Sequence, residues 1–150
     1  MWYPGGIMIG VGIGMGEKLA RRLVSDRLWE LAMPLLPAFS ARRQGGGSRP
    51  LDERSVFTAV VYVVTSGSAW RRMPEGFLVS PATAHRRFQA WTRAGFWRRL
   101  RAVAADEFEP GPEREWALTI ASAADERAPR PSSGRAVERG PRETSGRRRP

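Results

Sequence analysis

The stretch SPATAHRRFQAWTRAGFWRRL, residues 80–100, carries the strongest local structural signals in this chain. Ser80 can cap a helix by accepting a hydrogen bond from a backbone N–H, and Pro81 would occupy the first helical position, where proline is favoured. Gly95 can end the same helix. The stretch therefore predicts a helix that begins after Ser80 and stops at Gly95.

The predicted helix has two faces of different chemistry. At 100° per residue, the face expected to pack in the core carries small and aromatic residues: Ala84, Phe88 and Trp91. The residues of the opposite face are Ala82, Arg86, Gln89 and Arg93, with Thr83 and Ala90 to one side. Arginine and glutamine can read guanine and adenine in a major groove, although every surface helix also has a solvated polar face. His85 lies at the boundary of the two faces, where a histidine is usually an ordinary polar residue.

A further helix is predicted after Gly95, from Phe96 to about Phe108. It is indicated by Leu100 and Val103, which follow Phe96 at helical spacing. Some tryptophans lie on apolar stripes, so we interpret them as core residues rather than as platforms on which bases stack. These are Trp70, Trp91 and Trp97.

Two helices are predicted upstream of this stretch. The first begins near Ser25, a good cap, and Pro34 ends or kinks it because proline lacks a backbone donor. The second begins at Asp52 and ends at Gly67, with an apolar run over residues 56–64. Its β-branched residues would also suit a strand, but the segment is too long for an average strand. We therefore predict a central buried helix.

The composition favours nucleic acid as a partner. The net charge is +10, and all but one of the 25 cationic residues are arginine, which suits bidentate contacts with phosphate and guanine. A coding bias toward Arg, Ala, Gly and Pro in a GC-rich gene would produce part of the same pattern. The absence of cysteine excludes disulfides and thiolate metal sites, and one histidine cannot build a metal site. We expect no metal and no cofactor.

The chain divides into four parts by composition. Residues 1–16 are apolar and glycine-rich; they are too short and too rich in glycine for a membrane span, lack the features of a signal peptide, and are expected to be a leader outside the fold. Residues 17–108 are expected to form one helical domain, and residues 109–125 a linker. Residues 126–150 hold eight arginines and almost nothing apolar, so we expect them to be disordered. No membrane association is predicted, and we expect a cytoplasmic protein.

The order of these elements predicts an all-α fold. Helices separated by turns, with a basic helix late in the order, suit a small helical bundle with a helix-turn-helix-like arrangement. The connection between Trp70 and Ser80 is longer than in the compact motif. The expected arrangement is therefore a looser variant.

Several short motifs occur in an order and spacing that resemble a known family. They are LWEL at 28–31, PLLP at 34–37, GSRP at 47–50, VVYV at 60–63, TSG at 65–67, AWR at 69–71, MP at 73–74 and SPATAHRRF at 80–88. Over residues 17–108 the chain resembles the N-terminal domain of insertion-sequence transposases, in the group of insertion element 5. In that family the domain precedes a ribonuclease-H-like catalytic domain, in which three acidic residues hold divalent metal. The resemblance implies that residues 17–108 bind double-stranded DNA at transposon ends.

The chain departs from the family where the catalytic domain would begin. The segment 116–120, WALTI, is similar to the family's approach to its first catalytic strand, so a vestige of that strand is expected here. The first catalytic acid of the family falls on Ala121, and alanine cannot hold a metal ion. We therefore expect a truncated transposase without catalytic activity in this chain. The alternative is a helical protein-interaction module or inhibitor, which self-associates or associates with intact transposase.

The residues expected to contact DNA fall in two segments. On the helix after Ser80 they are Thr83, Arg86, Arg87, Gln89 and Arg93. In the glycine-rich loop 42–50 they are Arg42, Arg43 and Arg49. This loop is either a basic arm that contacts phosphates or a minor groove, or a solvated linker, and both interpretations stay open.

Overall fold

The computed structural model describes residues 17–38 and 51–130, and within these ranges the secondary structure is helical, without strands. The predicted all-α fold is confirmed. The expected leader, the loop with Arg42, Arg43 and Arg49, and residues 131–150 of the expected tail lie outside the described residues.

The first two helices of the described chain are joined at Ser25. Helix α1 covers residues 17–23, and α2 covers Asp26–Ala32. The Ser25 hydroxyl accepts a hydrogen bond from the backbone N–H of Leu28 at 3.1 Å, which confirms the predicted cap. A 3-10 helix, Met33–Leu35, replaces the next turn of α2 at Pro34, because proline cannot donate within a helix.

Helix α3, Glu53–Ser66, is the central element of the fold. The Asp52 carboxylate accepts a hydrogen bond from the backbone N–H of Ser55 at 3.0 Å. Gly67 ends the helix in the left-handed conformation at φ 68°, which glycine adopts without steric cost. The buried residues lie all round the helix: Val56, Phe57, Thr58, Ala59, Val60, Val61, Val63 and Val64. The predicted buried helix is confirmed.

Helices α4, Pro81–Arg93, and α5, Phe96–Glu107, follow as predicted. The Ser80 hydroxyl accepts from the backbone N–H of Thr83 at 3.2 Å, and Gly95 separates the helices at φ 73°. The connection between α3 and α4, residues 67–80, holds two 3-10 helices, Trp70–Arg72 and Glu75–Phe77. The helix-turn-helix-like arrangement remains a prediction.

The core between α3, α4 and α5 is aromatic. The Phe57 ring of α3 lies 6.0 Å from the Trp91 ring and 5.9 Å from the Phe96 ring, between centroids. Phe96 and Trp97 meet edge to face at 4.8 Å. Trp91 and Trp97 are buried, as predicted, while Trp70 is half-buried at the margin of this cluster. These contacts fix how α4 lies on the rest of the molecule.

The linker and strand vestige predicted for residues 109–125 are wrong. The chain forms a sixth helix there, α6, over Pro112–Arg127, and α6 packs against α5 and α3. Its buried residues recur at helical spacing, and three of the four are alanines, which allow close packing: Ala117, Ile120, Ala121 and Ala124. Packing of α6 on α5 and α3 therefore extends past the boundary predicted at residue 108, and Glu126 and Arg127 belong to α6 rather than to the tail.

Helix α6 also reaches the start of the described chain. The Trp116 indole N–H donates a hydrogen bond to the backbone carbonyl of Leu23 in α1 at 2.8 Å. The Ser25 hydroxyl donates to the Glu113 carboxylate at 2.6 Å. Elements from both ends of the described chain are thus joined in one body.

Candidate nucleic-acid interface

Helix α4 presents a polar stripe on the side opposite its core face. Ala84, Phe88 and Trp91 are buried, as predicted. Along the other side, Ala82, Arg86 and Arg93 are exposed, and Thr83 and Gln89 are half-buried. Four of the five helix residues predicted to contact DNA therefore lie on or beside this stripe.

The start of the stripe is ordered by local hydrogen bonds. The Ser80 hydroxyl donates to the Thr83 hydroxyl at 2.8 Å. The Thr83 hydroxyl oxygen also accepts a longer contact from the Arg86 guanidinium at 3.5 Å. Arg86 makes no ion pair with a carboxylate among the described residues, so its charge is available to an incoming anion.

Arg87, which was predicted to contact DNA, does not lie on this exposed stripe. Its side chain is buried, and each of its two terminal nitrogens donates to one Glu53 carboxylate oxygen at 2.8 Å. Arg87 lies on the flank of α4 that meets the N-terminal end of α3, where an arginine loses water and requires a partner. It therefore joins two helices instead of facing solvent.

A second basic element lies beside α4, in the 3-10 helix Trp70–Arg72. The Trp70 ring stacks on His85 at 5.0 Å and contacts Phe88 at 5.3 Å, between centroids. Arg71 and Arg72 follow this anchor, are exposed, and form no ion pair with a carboxylate in the described ranges. The sequence motif Trp-Arg-Arg was the available signal for them. The spacing of this motif does not show where the turn packs, so it could not place Arg71 and Arg72 beside α4.

Helix α6 fixes the position of that turn. The Arg127 guanidinium donates to the backbone carbonyl of Ser68 at 2.6 Å and lies over the Trp70 ring at 5.3 Å. Cation–π contact and hydrogen bonding both hold Trp70 against α4. We call Thr83, Arg86, Gln89, Arg93, Arg71 and Arg72 together the basic face.

Several other arginines in the described ranges are held by partners within the protein. Arg54 pairs with Asp26 at 2.7 Å, and Arg101 with Asp125 at 2.7 Å. Arg99 donates to the backbone carbonyls of Ala94 and Leu35. Glu75 is the exposed acid near the basic face in the connection 67–80. The excess positive charge of this region therefore faces solvent.

The surroundings of Ala121 do not form a metal site. Ala121 is fully buried in α6, and the nearby Asp125 carboxylate is engaged by Arg101. Over residues 17–38 and 51–130, no three His, Cys, Asp or Glu side chains lie close enough together to hold a metal ion. In the same ranges, no helix has the length and apolar character needed to span a membrane.

Comparison with known proteins identifies the relatives of this chain. Residues 24–101, which run from the end of α1 into α5, match the family described as "Putative transposase of IS4/5 family". The chain is 37% identical over 84 residues to the "Insertion element IS402 uncharacterized 16.2 kDa protein" of Burkholderia cepacia, a match that covers 55% of this chain and 57% of that relative. No solved structure matches. Because the family match covers more than half of its length, the chain belongs to the IS4/5 family of transposases.

Proposed function

We propose that the helical domain binds double-stranded DNA at the ends of an insertion element, with α4 in a major groove. The observation that carries the proposal is the basic face, whose arginines are exposed on two elements that are held together by Trp70. Membership of a transposase family supports the same partner.

The two elements of the basic face have different roles in this proposal. The second residue of α4 is the small residue Ala82, which allows the helix to approach base edges, and Arg86, Gln89 and Arg93 follow along the same side. Arginine reads guanine and glutamine reads adenine by paired hydrogen bonds. Arg71 and Arg72 lie to one side of the helix, where they would contact phosphates and contribute affinity without sequence preference.

Strand cleavage is not part of the proposed function of this chain. Metal-dependent transfer needs carboxylates to hold the ions. The resemblance to the family places the first of them at Ala121, which is buried in α6. We therefore expect the purified chain with Mg²⁺ or Mn²⁺ to leave supercoiled plasmid uncut, and nicking that disappears in a basic-face variant would contradict this.

The test of DNA binding compares single-arginine variants of the full chain. A duplex is first selected from a random-sequence library by the wild-type protein. Replacing Arg86 with alanine is expected to cost about 1–3 kcal/mol on the selected duplex and less on random duplex. Arg71→Ala should weaken both equally and make the logarithmic salt slope shallower by about 1.

The matched control is Arg21→Ala, which removes the same charge from α1, where Arg21 pairs with Glu17. Since the arginine-rich tail is common to all variants, differences between them report on the basic face alone. If Arg86→Ala and Arg21→Ala had equal effects, α4 would not be the reading helix. If no duplex bound at all, the protein-interaction module would replace DNA binding as the proposed function.

A further inference from the structure

Leu78 is an unusual residue of the connection that leads into α4. It adopts the left-handed conformation, with φ 57° and ψ 23°, and its exposed fraction is 86%. In the described ranges, no other non-glycine residue has a positive φ. Leu19, Met33 and Leu51, the other exposed large apolar residues there, are far less exposed.

Neither local conformation nor packing accounts for leucine at this position. The left-handed region brings the β-carbon close to a carbonyl oxygen, so glycine and asparagine are the residues that adopt it readily. An exposed leucine also gains little from apolar burial. A residue that is unfavourable on both counts is a candidate for function, because strained positions concentrate at ligand contacts.

The turn that carries Leu78 is anchored on both sides. Phe77 is buried, and its ring lies 5.1 Å from the Tyr62 ring; Val79 is buried as well. The Leu78 backbone N–H donates to the carbonyl of Glu75 at 3.0 Å. The side chain is therefore presented to solvent from a fixed backbone.

Leu78 lies at the N-terminal end of the basic face. Ser80, two residues later, caps α4 and donates to Thr83, which Arg86 contacts in turn. Two residues of chain span about 7 Å at most, so Leu78 is close to the end of α4 that would enter a groove. Arg71 and Arg72 precede the same turn, with Glu75 as its one acid.

We propose that Leu78 is an apolar wedge that packs against a base step of the bound duplex and partly unstacks it. The inference rests on the proposed function and adds a DNA contact at the N-terminal end of the basic face. A protruding leucine at the end of a basic face suits a partner that offers both phosphates and apolar base faces. Leucine is one of the apolar residues that DNA-bending proteins insert between base steps, in their case from the minor groove. The partner of the Leu78 side chain is therefore the DNA duplex.

The test uses the full chain and a duplex of about 30 bp, selected by the wild type and substituted with 2-aminopurine at successive positions. Wild type is expected to raise 2-aminopurine fluorescence at one step. Leu78→Asn should abolish that rise and weaken binding about tenfold, a loss of about 1.4 kcal/mol. Its thermal midpoint should not fall, because asparagine tolerates the left-handed conformation. Leu78→Met, which keeps an apolar side chain, should restore both signals, and Met33→Asn should change neither.

Each other outcome would overturn the wedge, and the outcomes are distinguishable. If wild type bound no duplex, the proposed function would fall and the wedge with it. If wild type bound and Leu78→Asn matched it in affinity and fluorescence, only the wedge would fall. A lower thermal midpoint for Leu78→Asn would mean that the side chain packs within the protein. A changed sedimentation rate of the free variant, with affinity retained, would assign the site to a second copy of the chain.

Discussion

At the scale of single residues, two neighbouring arginines of α4 have opposite environments. Arg86 is exposed, whereas Arg87 is 6% exposed and bound by both oxygens of Glu53. Their positions on the helix differ by 100°, which turns one toward solvent and the other toward α3. The same residue type can therefore serve DNA binding at one position and the fold at the next.

This contrast predicts different effects of the same substitution. Replacing Arg87 with alanine leaves Glu53 without its partner and opens the contact between α3 and α4, so the free energy of unfolding should fall by about 2–4 kcal/mol. The expected loss is below the upper end for fully buried pairs because the Glu53 side chain is 42% exposed. Arg86→Ala, the matched control, should stay within about 0.5 kcal/mol of wild type.

Urea unfolding followed by tryptophan fluorescence measures both variants. Equal stabilities for the two would contradict the ion pair between Arg87 and Glu53.

The ion pair between Arg87 and Glu53 also explains why Arg87 was predicted to contact DNA although its side chain is buried. Helical periodicity places Arg87 beside the core face, and only the position of α3 shows that this flank is covered.

At the scale of the elements, α6 is the helix that was not expected. The predictions placed a strand over 116–120 because that segment resembles the family's approach to its catalytic strand. The local signals favoured a helix: Pro112 stands at the first position, with Glu113 and Glu115 in the first turn. The strand was nevertheless predicted from the family resemblance, and the structure shows a helix over these residues instead.

Helix α6 makes Ala121 a sensitive position. Replacing Ala121 with aspartate, the residue type that the family resemblance would place there, puts a carboxylate at a fully buried site. Burial of an unpaired charge is unfavourable, so we expect destabilisation by more than about 3 kcal/mol. The control is Ser122→Asp, one residue along the helix and exposed, which should be nearly neutral.

Thermal unfolding followed by circular dichroism would separate these two variants. A stable Ala121→Asp protein with unchanged helix content would contradict the packing of α6 on α3 and α5. The packing matters for the site as well, because Arg127 at the end of α6 holds the turn that carries Arg71 and Arg72.

At the scale of the whole molecule, α6 is tied to elements from both ends of the described chain. Trp116 joins α6 to α1, and Arg127 joins it to the connection before α4. In hydrogen exchange, we therefore expect the opening that exposes the amides of α6 to have the same free energy as the opening that exposes those of α3. Exchange of α6 well before α3 would mean that the domain ends near residue 108 after all.

Local sequence signals were sufficient to predict α2 to α5. Their caps, Ser25, Asp52 and Ser80, act on backbone groups within three residues, and Gly67 and Gly95 act through their own backbone conformation. Because these interactions are local, they can be recognised without a tertiary structure. The core face of α4 was predictable for the same reason, since the helical period alone separates Phe88 from Arg86.

The features that only the tertiary structure decided depend on contacts between residues that are distant in the chain. The partner of Arg87 is 34 positions away in the chain, and the carbonyl bound by Arg127 is 59 positions away. Neither spacing carries a periodic signal, so the buried arginine and the basic turn at Trp70 could not be assigned in advance. The amino-acid sequence by itself determined the helices and their faces, because capping and periodicity are local. The tertiary structure decided which charges face solvent, because that depends on which helix covers which flank.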